Sequence, residues 1–174
     1  MAWLLPPFKS TFIDYPSKDD IAVMAFFVGC ENECPNCHNI KLKNPIEVET
    51  CIGLECKELD FFVNSLSAYA SRCHTNKIVL TGGDPLYKEN ILFIKRLVKK
   101  YNKQFDFCIY TGYNIEKVKD ENISGFKYIK CGCYNEKLAQ PSVKTDEFMR
   151  LASSNQKLYN EDLKLISKNG IYKF

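Results

Sequence analysis

Residues 21–28 read Ile-Ala-Val-Met-Ala-Phe-Phe-Val and run directly into Gly29 and Cys30. This is the longest uninterrupted apolar run of the chain, and its length is that of a strand. A strand without polar alternation is typical of a sheet covered on both faces, as in parallel α/β proteins. The run is far shorter than the roughly 20 residues that a membrane-spanning helix needs. We therefore expect a buried strand here and no membrane span.

Helix-like and strand-like segments alternate after this run. Apolar residues at helical spacing predict helices from Leu59 to Ala70 and from Ile91 to Tyr101, and a short helix is expected from Ile115 to Lys119. This alternation predicts a mainly parallel sheet in a single α/β domain over residues 1–174. Further strands are expected within 8–20 (with a turn) and at 77–81, 105–110, 126–131 and 171–174.

The composition is that of an ordinary folded protein. Of 174 residues, 45% are hydrophobic and 26% are charged, which excludes a disordered chain. Lys+Arg number 24 and Asp+Glu 21, and a net charge of +3 gives no argument for binding nucleic acid. Residues 1–7 carry no basic segment and no small-residue cleavage site, so they make a poor signal peptide. We expect a cytoplasmic protein that binds neither nucleic acid nor membrane.

Cysteine is unusually frequent, and three cysteines share one loop. The chain has nine, an odd number, so they cannot all pair as disulfides. The loop reads Cys30-Glu-Asn-Glu-Cys34-Pro-Asn-Cys37-His38-Asn39, with C-x3-C-x2-C spacing. Three thiolates can hold a metal centre, and because iron–sulfur clusters normally have four cysteines, three would leave one iron open. The cysteines elsewhere in the chain, including Cys131 and Cys133, are expected to be incidental thiols.

The cysteine loop alone leaves other metals open. Zinc fits the same spacing if His38 or Cys51 supplies a fourth ligand. Cys34-Pro-Asn-Cys37-His38 also matches the C-x-x-C-H haem attachment signature, although that chemistry requires export.

A second motif follows the predicted strand at 77–81. It reads Thr81-Gly82-Gly83-Asp84-Pro85. By itself this segment is typical of a turn. Because the carboxyl ends of parallel strands meet at one sheet edge, it should lie beside the cysteine loop, where α/β proteins place their active sites. Glycines let a ligand approach the backbone, and Asp84 offers an acceptor suited to an ammonium group.

Together these motifs resemble those of the radical S-adenosylmethionine (SAM) family, which pairs C-x3-C-x2-C after the first strand with a Gly-Gly-Glu type motif after the second. Within that family the chain is most similar to the subgroup that activates anaerobic ribonucleotide reductase. Four further segments support the subgroup, so that the resemblance covers about residues 10–156. They are Phe12-Ile13-Asp14-Tyr15-Pro16, Cys37-His38-Asn39, Tyr110-Thr111-Gly112-Tyr113 and Ser153-Ser154-Asn155-Gln156.

The resemblance implies a compact partial (β/α) barrel with a 4Fe–4S cluster and SAM as cofactors. Cys30, Cys34 and Cys37 would bind three irons, and the fourth iron would chelate the amino and carboxylate groups of SAM. The implied contacts to SAM are the amino-end site Gly82, Gly83 and Asp84, backbone contacts from Asn36, Cys37 and His38, and Tyr113 in the pocket wall.

The implied activity is that of a radical SAM oxidoreductase. The enzyme would cleave SAM reductively to a 5′-deoxyadenosyl radical and generate a glycyl radical on a large partner, anaerobic ribonucleoside-triphosphate reductase. A one-electron donor such as flavodoxin or ferredoxin would reduce the cluster. Alternatives are an activase of another glycyl-radical enzyme, a small-molecule radical SAM enzyme, and a zinc or iron–sulfur interaction module without catalysis.

This sequence departs from the family pattern at three places. Asn36 stands where many relatives carry a bulky residue before the third cysteine. Asp84 replaces the usual Glu, which shortens the side chain by one methylene and keeps its charge. Residues 129–134, Ile-Lys-Cys-Gly-Cys-Tyr, stand where relatives often carry an Asp-Gly pair.

Overall fold

The order of strands in the main sheet explains where the two motifs meet. The computed structural model describes residues 1–18 and 20–174. In this part of the chain the strands are β1 (Ala2–Thr11), β2 (Ala22–Phe27), β3 (Ile52–Leu54), β4 (Lys77–Gly82), β5 (Asp106–Tyr110), β6 (Tyr128–Cys131), β7 (Val143–Lys144), β8 (Phe148–Arg150), β9 (Lys157–Asn160) and β10 (Ile171–Lys173). The main sheet has seven strands in the order β3-β1-β2-β4-β5-β6-β9.

The centre of this sheet is parallel. Strands β2, β4, β5 and β6 pair in parallel, and a helix lies between each of these strands and the next along the chain. These helices are α1 (Leu59–Arg72), α2 (Ile91–Tyr101) and α3 (Ile115–Asp120). Parallel neighbours need such a crossover, because a short turn cannot return the chain to the start of the next strand. The prediction of a mixed α/β fold built on parallel strands is therefore confirmed.

The outer strands join the sheet by antiparallel pairing. Strands β1 and β3 on one side and β9 on the other pair antiparallel. The β1–β2 register shifts between Leu5 and Lys9, where Pro6 and Pro7 lack the amide hydrogens that a regular ladder uses. The sequence predicted a short strand and turn within 8–20, whereas β1 is ten residues long and begins at Ala2.

The helices bury the apolar faces that their spacing predicts. Helix α1 buries Leu59, Phe62, Val63, Leu66 and Ala70. Its Phe62 meets Phe93 of α2 edge to face, with ring centres 5.4 Å apart, and both rings pack near Phe27 of β2. Full burial of each such side chain contributes about 1.5–3 kcal/mol. The main core thus lies between the helices and one face of the sheet.

The C-terminal segment covers part of the other face. Strands β10, β8 and β7 form a small antiparallel sheet, so the predicted terminal strand is confirmed. Met149, Leu151 and Leu158 form a second apolar cluster against Tyr110 and Tyr128 of the main sheet. The strands from 143 to 160 are two to four residues long, too short to leave a periodic pattern in the sequence.

The arrangement places four loops at one edge. The segments that follow β2, β4, β5 and β6 all leave the carboxyl ends of parallel strands and so face the same side of the sheet. In the part of the chain that the structure describes, no helix combines the length and apolar character needed to cross a bilayer.

Candidate metal and cofactor site

A cavity opens at this edge, and the cysteine loop forms one of its walls. Cys30, Cys34 and Cys37 all line it and all are half-buried. The loop is fixed where it leaves β2 and where it returns, because the Gly29 amide donates to the Leu42 carbonyl (2.8 Å) and the Cys30 amide to that of Lys43 (3.0 Å). The cavity has a volume of about 180 Å³ and is partly open to solvent.

The thiols of the loop are free to act as ligands. All nine cysteines lack disulfide partners, and burial raises the pKa of the Cys30 thiol. Among the described residues, no three His, Cys, Asp or Glu side chains gather tightly enough to hold one metal ion. The ligands of an iron–sulfur cluster bind different irons, so they need only surround a shared space. Three thiols around one cavity fit that requirement.

The possible fourth zinc ligands are placed differently from each other. His38 lines the cavity beside the cysteines. Cys51 lies outside the cavity lining, and its thiol donates to the Pro45 carbonyl at 3.4 Å. The structure therefore does not bring Cys51 to the loop thiols.

The glycine turn forms the facing wall and is packed against the start of the cysteine loop. Gly82 has a φ of +119°, and a Cβ there would lie 2.2 Å from the Phe27 carbonyl oxygen. At Gly83 a Cβ would lie 2.6 Å from the Gly29 carbonyl oxygen. The amides of Gly83 and Asp84 donate to the carbonyls of Phe27 and Gly29, both at 2.8 Å. Both glycines line the cavity, and close backbone packing is a second reason for them that the sequence did not reveal.

Asp84 lies beneath this wall rather than in the cavity lining. Its side chain is fully buried, and it accepts hydrogen bonds from the Leu86 amide (2.9 Å), the Thr111 hydroxyl (2.8 Å) and the Gly112 amide (2.9 Å). Burial raises the pKa of this carboxyl, although the two amides and the hydroxyl oppose the shift. Asp84 therefore joins the turns that follow β4 and β5, and its binding of an ammonium group stays a prediction.

Two asparagine amides connect the cysteine loop to the glycine turn. The Asn32 side chain donates to Asp84 at 3.1 Å and to the Cys30 sulfur at 3.5 Å. The Asn39 side chain donates to the Gly82 carbonyl at 2.7 Å. The two walls of the cavity are thus held in a fixed relation by side chains of the loop itself.

Lys130 brings a positive charge to the cavity. It lines the cavity from β6, half-buried, with its ammonium 5.1 Å from the centre of the Tyr110 ring. Loss of hydration lowers the pKa of this ammonium, and the negative charge of Asp84 opposes that change. Among the residues that the structure describes, Lys130 has no ion-pair partner. A half-buried cation without a carboxylate suits an anionic group of a ligand.

The other predicted contacts divide between the cavity and the surface. His38 lines the cavity, with its ring centre 6.3 Å from that of Tyr134. Asn36 is exposed and donates to Glu136 at 2.6 Å, and the Tyr113 hydroxyl donates to Glu31 at 3.3 Å. Neither Asn36 nor Tyr113 is part of the cavity lining.

The structure thus brings together six of the nine predicted site residues: Cys30, Cys34, Cys37, His38, Gly82 and Gly83. Sequence reasoning missed Asn32, Lys130, Cys133 and Tyr134, which also line the cavity. The sequence did not single out Lys130, because the predicted strand at 126–131 also contains Lys127.

Comparison with known proteins identifies the class of this chain. The sequence profile of the 4Fe-4S single cluster domain matches residues 21–159, which contain both walls of the cavity, and the chain belongs to that family. It is 28% identical over 153 residues to the anaerobic ribonucleoside-triphosphate reductase-activating protein of Enterobacteria phage T4, covering 84% of this chain and 88% of that protein. The resemblance drawn from the motifs is thereby confirmed.

Two cellular relatives are longer than the matched region. A protein of Methanocaldococcus jannaschii named as a glycyl-radical enzyme activating enzyme is 30% identical over 164 residues, covering 92% of this chain and 61% of that protein. The anaerobic ribonucleoside-triphosphate reductase-activating protein of Escherichia coli K12 is 30% identical over 96 residues, covering 53% of this chain and 59% of that protein.

Proposed function

We propose that this chain is a radical SAM activase that generates a glycyl radical on an anaerobic ribonucleoside-triphosphate reductase. The observation that carries the proposal is one cavity, at the carboxyl ends of parallel strands, lined by Cys30, Cys34 and Cys37 on one wall and by Gly82 and Gly83 on the other. The names of the relatives from phage T4 and Escherichia coli support the choice of partner. The name of the Methanocaldococcus relative keeps another glycyl-radical enzyme as the alternative partner.

The three loop cysteines are the proposed ligands of a 4Fe–4S cluster. Their thiols are half-buried, share one cavity and have no disulfide partners, so each is available to bind iron. Three ligands leave one iron for a non-protein group. When bound, the cluster and SAM supply the electron transfer and the carbon radical of the reaction. The proposed fold is correspondingly the partial (β/α) barrel of radical SAM proteins.

The remaining cavity residues are proposed to hold SAM. The backbone of Gly82 and Gly83 forms the wall at which the amino end lies. Lys130 lines the cavity and has no ion pair among the described residues, and it is proposed to bind the carboxylate. The rings of His38 and Tyr134 offer flat surfaces for the adenine. Asp84 and Asn32 act as positioning residues, because their hydrogen bonds join the two walls.

The partner and electron donor follow from the same reaction. A glycyl radical forms on a polypeptide, so a loop of the partner must reach the cavity, which is partly open to solvent. Reduction of the cluster requires a one-electron donor such as a flavodoxin or a ferredoxin. The proposed cleavage of SAM uses this electron. The residues of the protein orient the reactants and limit the access of water.

Anaerobic reconstitution with iron and sulfide, followed by dithionite and SAM, tests the proposal. We expect 5′-deoxyadenosine to form and, with the purified reductase added, a glycyl radical signal in electron paramagnetic resonance spectra. Cys34→Ala should abolish both products, whereas Cys73→Ala, at the end of α1 and outside the cavity lining, should retain them. A colourless zinc protein, or a cluster that leaves SAM intact, would favour a binding module instead.

A further inference from the structure

A fourth thiol lines the same cavity, beside the cysteine loop. Cys133 follows β6 and lines the cavity together with Cys30, Cys34 and Cys37. Its thiol donates to the Asn32 side-chain oxygen and to the Gly112 carbonyl, both at 3.1 Å. Because Asn32 belongs to the cysteine loop, these bonds hold Cys133 against that loop.

Cys133 is in direct contact with one of the proposed cluster ligands. The Cys34 and Cys133 side chains are within hydrogen-bonding contact of each other. Cys34 lies in a part of the loop that belongs to no helix or strand, so its backbone has room to adjust. The two thiols therefore lie at one place in the cavity, and Cys133 is also bonded to Asn32, two positions before Cys34 in the loop.

The other cysteines of the described chain are placed differently. Cys131, only two positions away, packs in the main core, and Cys108 is fully buried in a separate cluster. Cys51, Cys56 and Cys73 lie outside the cavity lining. Cys133 is therefore the one thiol outside the loop that this cavity brings to the proposed cluster ligands, within the part of the chain that the structure describes.

We propose that Cys34 and Cys133 are a site of oxidative modification, and that they form a disulfide when the cluster is absent. The oxidant is a low-molecular-weight disulfide. The Cys34 thiolate attacks it to give a mixed disulfide and one released thiol, and the Cys133 thiolate then attacks the Cys34 sulfur and releases the second thiol. The two protein thiols lose two electrons and two protons in total. These reduce the small disulfide to two small thiols.

The consequence of this disulfide rests on the proposed function. A sulfur in a disulfide cannot bind iron as a thiolate, so the bond withdraws Cys34 from the set of cluster ligands. The oxidised chain would accept a cluster only after a dithiol reductant has reopened the bond. The same bond would also protect Cys34 from the irreversible steps of thiol oxidation while the site is empty.

Peptide mapping tests the bond without any measurement of activity. The cluster-free full-length chain is incubated with oxidised glutathione, its remaining thiols are alkylated, and it is digested with trypsin. Cleavage after Lys18, Lys41, Lys130 and Lys137 places the loop cysteines in peptide 19–41 and Cys133 in peptide 131–137. We expect these two peptides to be joined, with fragmentation assigning the bond to Cys34 and Cys133 and with alkylation lost at both.

Two serine variants provide the controls. Cys133→Ser keeps a hydroxyl that can donate to Asn32 and Gly112, and it should lose the joined peptide. Cys131→Ser, whose peptide is otherwise identical, should retain it. The inference is wrong if Cys133 stays alkylated in the oxidised wild-type chain, if Cys133→Ser retains the joined peptide, or if the loop cysteines pair with one another instead.

Iron uptake separates this inference from the proposed function. Oxidised wild-type chain should take up no cluster until a dithiol is added, whereas Cys133→Ser treated with the same oxidant should take it up directly. If the reduced wild-type chain binds no iron, the proposed function fails while the peptide map still decides on the disulfide. If the oxidised wild-type chain loads as readily as the reduced chain, the disulfide does not block the site.

Discussion

The two walls of the cavity differ in what holds them in place. In the cysteine loop, no residue from 30 to 41 is buried, and residues 31–37 belong to no helix or strand. In the glycine turn, Gly82, Asp84 and Leu86 are buried, and the turn is tied to the end of β2 by backbone bonds. The turn is therefore held by contacts within the protein, whereas under the proposed function the loop would complete its bonding with the cluster. Substitutions in the turn should cost folding stability, and those in the loop should cost cofactor binding.

The largest stability effect is expected at Gly82. Replacement by Ala adds a Cβ that would lie 2.2 Å from a backbone oxygen, at a φ of +119°. This oxygen belongs to Phe27 in the backbone of β2, so moving it would disturb the sheet. We therefore expect Gly82→Ala to lower the free energy of unfolding by about 4 kcal/mol. Urea denaturation of the cluster-free chain, followed by circular dichroism, measures the loss.

Gly132 is the matched control for this effect. It also has a positive φ, +106°, but the nearest atom to an added Cβ is 3.6 Å away. Gly132→Ala should therefore cost only the strain of the backbone, about 1–2 kcal/mol. Equal losses in the two variants would show that the glycine turn is not held by its close packing on β2.

The next effect is expected at Asp84. Asp84→Asn puts an amide group where carboxylate oxygens accept from Leu86, Thr111, Gly112 and Asn32, so at least one donor loses its acceptor. We expect a loss of about 2 kcal/mol in the same denaturation experiment, since a buried donor is left without an acceptor. Asp106→Asn, whose carboxylate accepts from Asn76 at the surface, should cost less than about 0.5 kcal/mol.

The Asp84 pKa also predicts a dependence on pH. Burial raises the pKa of this carboxyl in the folded chain above its ordinary value of 3.8. A carboxyl whose pKa is higher in the folded than in the unfolded chain stabilises the fold most at low pH, where it is protonated. This stabilisation is lost as the pH rises from the pKa of the unfolded chain to that of the folded chain. The difference in unfolding free energy between wild type and Asp84→Asn should therefore shrink as pH rises over that interval. A difference that grows with pH would mean that the hydrogen bonds outweigh burial.

The sequence predicted the elements whose pattern is local. The helix at Leu59 and the strand before Gly82 follow from spacing within a single segment, and the cysteine spacing alone located one wall of the cavity. Asp84 was expected to face the ligand, and the structure buries it because Thr111 and Gly112, on another strand, provide its donors. Such a pairing depends on strand order rather than on any local pattern.

Cys133 shows the same limit of sequence prediction, because it was expected to be an incidental thiol and the structure places it in the cavity lining. Along the chain Cys133 belongs to no complete metal motif, so no local pattern separates it from Cys131. Strand β6 lies beside β5 in the sheet, and the chain leaving its carboxyl end brings Cys133 to the cysteine loop, about a hundred positions earlier in the sequence. There the Cys133 thiol donates a hydrogen bond to the Asn32 side-chain oxygen at 3.1 Å. Cys131 is the last residue of β6 and packs in the main core, whereas Cys133 lies beyond the strand, after Gly132 with its φ of +106°.

The smallest effect is expected at Tyr113, which the sequence placed in the cofactor pocket and the structure places outside its lining. Its hydroxyl donates to the exposed Glu31 at 3.3 Å, so Tyr113→Phe removes one weak surface bond and should change stability by less than about 0.5 kcal/mol. Tyr110→Phe is the control, because the Tyr110 hydroxyl donates to the Asp14 carbonyl at 2.6 Å and its loss should cost about 1 kcal/mol. SAM binding to the reconstituted protein, measured by calorimetry, should be unchanged in Tyr113→Phe. A clear loss of affinity there would mean that the loop carrying Glu31 rearranges around the cofactor and brings the hydroxyl of Tyr113 into the cavity.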